Sequence, residues 1–161
     1  YHVFEPQRIV YYQLCGNAFI NGLDNVHCHN FGLSNERKRF ELPMPDYASE
    51  TNIGAFSIDK EVRENEYECA TVGKTEPLVV FPLDDGQHTN VRLIKIDVEG
   101  HELFVLQSNN WTRFRPKVLL LEILNFDMTK SESYPEHNFV INEGYVLFAK
   151  TFNTLIYKDC K

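Results

Sequence analysis

The sequence predicts an α/β protein with a mostly parallel sheet that ends in an antiparallel hairpin. Residues 1–33 and 91–123 each show a strand, a helix and a second strand in succession, a pattern typical of a parallel pair with a crossover. The apolar run at residues 118–123 is typical of a parallel strand covered on both faces. Residues 145–150 and 154–158 are joined by three residues, so these two strands must pair antiparallel.

The first strand-helix-strand segment begins with a short apolar strand at residues 1–5. Pro6 then supplies the fixed φ that suits a first helical turn. Apolar residues recur every four positions within residues 7–21 and predict an amphipathic helix with one buried stripe. Gly22 is a suitable C-terminal stop, and residues 26–33 predict the second strand.

Residues 34–76 predict a loop-rich insertion with edge strands near residues 39–42 and 67–72. Two interpretations stay open, a surface cover and a substrate-side cap, because long loops often carry function. The Gly-Lys-Thr sequence at residues 73–75 copies the tail of a P-loop. It lacks the leading glycine and the following helix that a phosphate-binding loop needs, so we reject that motif.

The second half of the chain predicts strands at residues 78–83 and 91–97 and a helix that begins near Glu99. A further helix is predicted over residues 136–143, where Gly144 stops it ahead of the terminal hairpin. We therefore expect a single domain over residues 1–161, because this length suits one hydrophobic core.

The composition excludes several classes of function. The 161 residues carry 16 basic and 23 acidic side chains, a net charge of −7, which disfavours binding to nucleic acid backbones. No apolar run reaches the roughly 18 residues of a membrane span, and the N-terminus lacks the pattern of a signal peptide. The chain begins with Tyr1 instead of Met, so we expect it to be part of a longer protein.

The four cysteines show no regular spacing, which favours free thiols in a reducing compartment and a cytoplasmic location. His27, Cys28 and His29 suggest a metal site. Alternate residues of a strand point to opposite faces, however, and this separates the cysteine from the two histidines. We therefore favour ordinary strand composition and expect no metal.

Acidic residues end three of the predicted strands: Glu5, Asp97 and Glu122. Ligands of open α/β sheets bind beyond the carboxyl ends of strands, and a carboxylate there can accept the hydroxyls of a nucleoside ribose. The alternative for Glu5 and Asp97 is a carboxylate that caps the next helix. Lys95 lies within a buried strand, so it must pair with an acidic neighbour or reach solvent.

Several segments together resemble the FkbM family of S-adenosylmethionine-dependent methyltransferases. The order and spacing match over nearly the whole chain, and the IKIDVEG string is the most specific part. The matching segments are FEP at residues 4–6, PLDD at 82–85, IKIDVEGHE at 94–102 with VL at 105–106, RP at 115–116, LLEI at 120–123 and GY at 144–145.

This resemblance implies a Rossmann-like class I methyltransferase fold with strand order 3-2-1-4-5-7-6 and strand 7 antiparallel. The predicted strands correspond to strands 2 to 7 of that order. Strand 1 and its glycine-rich turn, which holds the methionine part of the cofactor, have no counterpart. We therefore expect an open edge between the strand of Phe4 and the strand of Ile96.

The resemblance also implies site residues. Glu5 matches the residue that binds the ribose of S-adenosylmethionine, and Ser34 lies near its adenine. Asp97 lies beside both the methionine end and the acceptor. Glu99, His101 and Glu122 line the catalytic mouth, although an exposed first-turn histidine is the simpler interpretation of His101. Asn52 and Gly54 match a short segment on the acceptor side.

The function implied is O-methylation of a hydroxyl on a small molecule or carbohydrate. The acidic charge argues against RNA or DNA as the acceptor. One alternative is a degenerate methyltransferase-like domain that binds without catalysis. Another is a nucleotide-binding oxidoreductase, whose ribose carboxylate would look like Glu5 but whose sheet would not end in this hairpin.

Overall fold

A computed structural model describes residues 1–48, 52–59, 71–86, 88 and 90–160 of the chain. It shows a mixed α/β fold with parallel and antiparallel strands, as predicted. The chain divides into two compact units, Tyr1–Pro82 and Leu83–Lys161. In the described ranges, no helix has both the length and the apolar character needed to cross a membrane.

The first unit begins with the predicted strand-helix-strand segment. Strands β1 (His2–Phe4) and β2 (His27–His29) pair in parallel, and helix α1 (Arg8–Ile20) connects them. Gly22 adopts a φ of 62°, and the amide that follows it bonds back to the Ala18 carbonyl, a glycine-dependent helix end. The order strand, helix, strand is confirmed. The buried stripe predicted for α1 was wrong, because Val10, Leu14 and Ala18 are only half-buried and the helix contains no buried residue.

The second predicted strand is split, because its last residues belong to another sheet. Strand β3 (Gly32–Leu33) pairs in parallel with strand β5 (Thr71–Phe81). Asn30, which lies between β2 and β3, donates side-chain hydrogen bonds to the carbonyls of Glu5 and Pro6, at 3.0 and 3.2 Å. These bonds satisfy backbone acceptors just beyond β1, where the Glu5 amide also donates to the His29 carbonyl at 3.0 Å.

The predicted loop-rich insertion contains a long antiparallel pair, β4 (Lys38–Pro45) with β5. The edge strand expected at residues 39–42 is confirmed. The one expected at residues 67–72 lies mostly outside the described residues, and its last two residues open β5 instead. The prediction of two separate strands on either side of Pro77 was wrong, because the single strand β5 runs through this residue. Among the described strands, β5 pairs at Pro77 with β4 alone, so a missing backbone N–H is tolerated there.

The second unit contains a four-stranded sheet that includes the predicted parallel pair and the predicted hairpin, although the described strands form three sheets where one mostly parallel sheet was expected. Strands β6 (Leu93–Ile96) and β7 (Val118–Glu122) are parallel neighbours, and β8 (Tyr145–Lys150) and β9 (Thr154–Asp159) form the antiparallel hairpin. The strand order is β6-β7-β9-β8. Leu119 and Leu121 of β7 are fully buried, in agreement with the apolar run.

Helix α2 (Glu102–Gln107) follows β6, and helix α3 (Pro135–Asn142) precedes the hairpin. The prediction that α2 begins near Glu99 was wrong by one turn. Glu99 and Gly100 have φ values of 53° and 90°, outside the helical region, so the helix begins only after this turn. Gly144, with a φ of 86°, ends α3 as predicted.

A connected core holds the second unit together. Trp111 Nε1 donates to the Leu106 carbonyl at 2.9 Å, and the Tyr145 hydroxyl donates to the Pro116 carbonyl at 2.7 Å. Both polar groups are buried, so each needs the partner it has. Arg115 lies over the Tyr145 ring, at 4.6 Å from its centroid.

Strands β1 and β6 are each at the edge of their own sheet. Within the described part of the chain, β1 has only β2 as a hydrogen-bonded neighbour, and β6 has only β7. The expectation that an absent first strand leaves an open edge between the strand of Phe4 and the strand of Ile96 stays a prediction.

Candidate active site

Three carboxylates meet at the carboxyl ends of β6 and β7. The register pairs Ile96 with Leu121 in these neighbouring parallel strands. Asp97 follows the last residue of β6 and Glu122 is the last residue of β7, so the two acidic residues lie at the same level. Oxygen atoms of Asp97, Glu99 and Glu122 lie within 4.8 Å of one another. The structure thus brings together three of the four predicted catalytic residues.

Asp97 and Glu122 titrate as a pair. The hydrogen bond between them is the largest cause that raises the pKa of Glu122 to about 7, followed by its burial and by repulsion from Asp97 and Glu99. For Asp97, burial opposes ionisation, but the hydrogen bonds from Glu122 and Lys95 hold its pKa below the ordinary value. One proton near neutral pH is therefore shared by this pair and resides mainly on Glu122.

Lys95 is the cation of this cluster. Its Nζ lies 2.5 Å from Asp97 Oδ2, which confirms the expected pairing with an acidic neighbour. Its side chain is half exposed, so the ammonium group reaches solvent while it holds the Asp97 carboxylate in place. A carboxyl with a pKa near 7 beside a fixed carboxylate is suited to proton transfer at neutral pH.

Glu102 supports the turn that carries Glu99. Its Oε1 accepts hydrogen bonds from the backbone amides of Val98 and Gly100, at 3.1 and 3.3 Å. The side chain is buried, and burial raises its pKa while these amides act in the opposite direction. This role was not predicted from the sequence. A glutamate at the first position of a helix, just after a glycine turn, is the signal that was available.

His101 is buried, and this corrects the expectation of an exposed first-turn histidine. It occupies the residue before α2 with a φ of −105°, and its ring stacks on Phe104 with a centroid distance of 4.5 Å. Phe104 lies three residues later, on the same helical face, so stacking on its ring holds the imidazole of His101 against α2.

Glu5 lies in the first unit, just beyond β1. Its Oε1 accepts the backbone amide of Gln7 at 2.7 Å, so it does bind the start of α1, as the capping alternative predicts. Burial raises the pKa of Glu5, and the Gln7 amide opposes that shift. A half-buried carboxylate with one oxygen on the helix start still presents its second oxygen as an acceptor.

The segment that carries Asn52 and Gly54 lies against the same helix start. Asn52 Oδ1 accepts the Gly54 amide at 3.2 Å, and the Ile53 carbonyl accepts Gln7 Nε2 at 2.9 Å. Gln7 therefore joins this segment to the loop that follows Glu5. Thr51, which precedes them in the matched segment, lies outside the described residues.

Ser34 is buried directly after β3, where its amide donates to the Phe81 carbonyl at 3.0 Å. A Cβ at Gly32 would approach Val80 at 3.1 Å and Pro6 at 3.5 Å, so a glycine is needed for this close packing. Ser34 and Glu5 thus belong to the first unit, whereas Asp97, Glu99, His101 and Glu122 belong to the second.

A family model described as the methyltransferase FkbM domain matches residues 1–147. The chain belongs to this family. The FkbM resemblance seen in the sequence is confirmed, and it covers the strand ends that carry all six predicted site residues. No curated protein sequence matches the chain significantly.

The fold agrees with a solved member of the FkbM family. The crystal structure of methyltransferase FkbM from Methylobacillus flagellatus KT matches with a TM-score of 0.56 at 16% sequence identity. The match covers 98% of this chain and 36% of that chain, so the sequence spans about a third of the solved protein.

Proposed function

We propose that the protein is an S-adenosylmethionine-dependent O-methyltransferase that acts on a hydroxyl of a small molecule or carbohydrate. The observation that carries this proposal is the carboxylate cluster of Asp97, Glu99 and Glu122 at the ends of two parallel strands in an FkbM domain. Membership of a methyltransferase family supports methyl transfer, and the acid-base character of the cluster supports an acceptor that must lose a proton.

The topology supports a Rossmann-like class I arrangement. The order β6-β7-β9-β8 with an antiparallel β9 is the order expected for strands 4-5-7-6, and the parallel pair β1-β2 is the pair expected for strands 2-3. In such folds the cofactor binds at the carboxyl ends of the strands.

The chemistry of Glu5 fits the proposed cofactor. A half-buried carboxylate at a strand end, already ordered by the Gln7 amide, is suited to accept hydrogen bonds from ribose hydroxyls. We assign Glu5 to the ribose, Ser34 to the adenine end, and Asp97 to the methionine end. S-adenosylmethionine supplies an activated methyl group on a sulfonium when it is bound.

Glu122 is the proposed proton acceptor. In its ionised form it takes the hydroxyl proton of the acceptor at a carboxylate oxygen, and its pKa near 7 matches that task at neutral pH. Asp97, held by Lys95, keeps Glu122 in position and orients the reacting groups. Glu99 borders the acceptor, and His101 is the second candidate base.

Calorimetric titration of the full-length protein with S-adenosylmethionine tests the cofactor assignment. We expect Glu5→Gln to weaken binding about 10- to 100-fold, the effect of losing hydrogen bonds to a charged group. Glu36→Gln is the matched control, because Glu36 is an exposed carboxylate of the same unit that pairs with Lys38. Absence of binding by the wild type, or equal binding by Glu5→Gln, would refute the assignment.

Formation of S-adenosylhomocysteine with a panel of sugars and hydroxylated small molecules tests the chemistry. We expect Glu122→Gln to lower turnover on the order of 100-fold with cofactor affinity unchanged. Glu132→Gln, an exposed carboxylate of the same unit, is the control. If His101→Asn lowers turnover and abolishes its pH dependence while Glu122→Gln does not, His101 is the base and our assignment is wrong.

A further inference from the structure

Three histidines share one face of the two-stranded sheet in the first unit. The register of β1 and β2 pairs His2 with His27 and Phe4 with His29. Because side chains alternate along a strand, these four residues project to one side, and Val3 and Cys28 project to the other. The face is thus formed by imidazole and aromatic rings alone.

The imidazole nitrogens approach closely. His2 Nδ1 and His29 Nε2 are 3.0 Å apart. Two nitrogen ligands of a tetrahedral Zn²⁺ ion lie about 3.3 Å apart, given metal–nitrogen bonds of 2.0–2.1 Å. The ring of His27 stacks on that of His2 with a centroid distance of 5.0 Å. The His2–His29 pair therefore already has the separation of two ligands, and the third ring is adjacent to it.

One of the three imidazole rings is held in place by an aromatic neighbour. Phe4 stacks on His29 at 4.9 Å, which fixes that ring, while His2 and His27 are exposed and can turn toward an ion.

We propose that His2, His27 and His29 form a binding site for a divalent transition metal of the zinc class. The two nitrogens of His2 and His29 bind first, and the proton they share moves to the other nitrogen of its ring. His27 then rotates about its side-chain bonds to supply the third ligand, and water completes the tetrahedron. Imidazole-only coordination selects zinc, copper or nickel over magnesium or calcium.

This site differs from the metal motif considered in the sequence. His27, Cys28 and His29 were expected to bind no metal because the cysteine faces away, and Cys28 plays no part in the proposal. The additional ligand is His2, which lies 25 residues before His27 in the sequence and is brought beside it by the pairing of β1 with β2. The carboxylates of the candidate active site are a separate set of oxygen ligands.

Titration of the untagged full-length protein with Zn²⁺, followed by calorimetry, tests the proposal. We expect one high-affinity ion per chain. Single replacements of His2, His27 or His29 by Asn should each weaken Zn²⁺ binding by more than about 100-fold. Loss of a residue that only supports a metal ligand already costs about 10- to 100-fold in affinity, and these histidines are the ligands themselves. Cys28→Ser is the matched control, since it lies between two ligands on the opposite face, and it should bind Zn²⁺ as the wild type does.

Cobalt spectra supply the second measurement. Co²⁺ in the same site should show the visible absorption of a tetrahedral ion without a thiolate charge-transfer band. Circular dichroism of each variant must match the wild type, and the conservative pair His27→Asn and His27→Gln guards against misfolding. The proposal is overturned if Zn²⁺ does not bind, if the histidine variants bind normally, or if Cys28→Ser or Asp97→Asn removes binding.

Discussion

The two units of the molecule bury apolar side chains to very different extents. Among the described residues, the buried hydrophobic core has five residues in the first unit and fourteen in the second. Helix α1 contains no buried residue, whereas α2 contributes Val105 and Leu106 to its core. The proposed catalytic carboxylates thus lie on a well-packed sheet, and the proposed ribose ligand Glu5 lies on a two-stranded ribbon.

This difference separates the proposed roles of the two units. Proton transfer needs groups held to within a fraction of an ångström, and strand ends over a packed core provide that. The free energy of cofactor binding stabilises the folded arrangement of the residues that the cofactor contacts. The first unit, which carries the proposed ribose ligand, should therefore gain stability when the proposed cofactor binds.

Matched leucine truncations give the largest contrast between the units. Leu121→Ala should lower the free energy of unfolding by about 3–5 kcal/mol, because Leu121 is fully buried in β7. Leu14→Ala in half-buried α1 should cost about 1 kcal/mol. Urea unfolding is measured by circular dichroism and by the fluorescence of Trp111, the single tryptophan. Equal losses at the two positions would contradict the contrast.

Ion pairs should show the same contrast on a smaller scale. Arg115 Nε donates to Asp159 Oδ1 at 2.9 Å, and the Asp159 side chain is only 3% exposed. Asp159→Asn should cost about 3 kcal/mol, because Arg115 remains buried without its counter-charge. Glu41→Gln breaks an exposed pair with Arg39 and should cost less than about 0.5 kcal/mol. High salt should weaken only the second pair, and unfolding curves at two salt concentrations check this.

The carboxylate pair should give the smallest effect, visible as a pH dependence. Glu122 has a higher pKa in the folded state than in the unfolded state, about 7 against 4.5. The folded chain therefore keeps a proton that the unfolded chain releases, and this contribution to stability is lost as the pH rises from about 4.5 to 7.

Glu122→Gln cannot ionise, so it should remove that loss. The variant should be more stable than the wild type at pH 8 by up to about 1 kcal/mol, after allowance for screening by solvent. At pH 4.5 the two should be similar. Urea midpoints at the two pH values measure the difference, and a variant less stable than the wild type at pH 8 would show that folding does not raise the pKa of Glu122.

The sequence predicted elements whose stability is local. The apolar run of β7 and the short link of the hairpin each specify a strand by their own pattern, and both were confirmed. The continuous β5 was missed because Pro77 is acceptable only where one neighbouring strand is absent. The late start of α2 was missed because a left-handed Glu99 is not encoded by periodicity.

The site was predictable to the same degree. The strand ends at Asp97 and Glu122 follow from pattern alone, and the structure brings them together as expected. The contact between His2 and His29 depends on the register of two strands that are 25 residues apart in the sequence. The local spacing of residues does not specify that register. The burial of His101 depends on the ring of Phe104 and on where α2 begins.

Strand β4 carries a consequence for the solution behaviour of the protein. It contains Pro43 and Pro45, its register with β5 shifts between them, and its first half exposes Lys38, Arg39 and Glu41. Prolines, irregular register and charge each prevent a bare strand from templating a strand of another molecule. The longest strand pair in the described chain is thereby protected against edge-to-edge aggregation, and Pro43→Val together with Pro45→Val should make the protein prone to form β-rich oligomers.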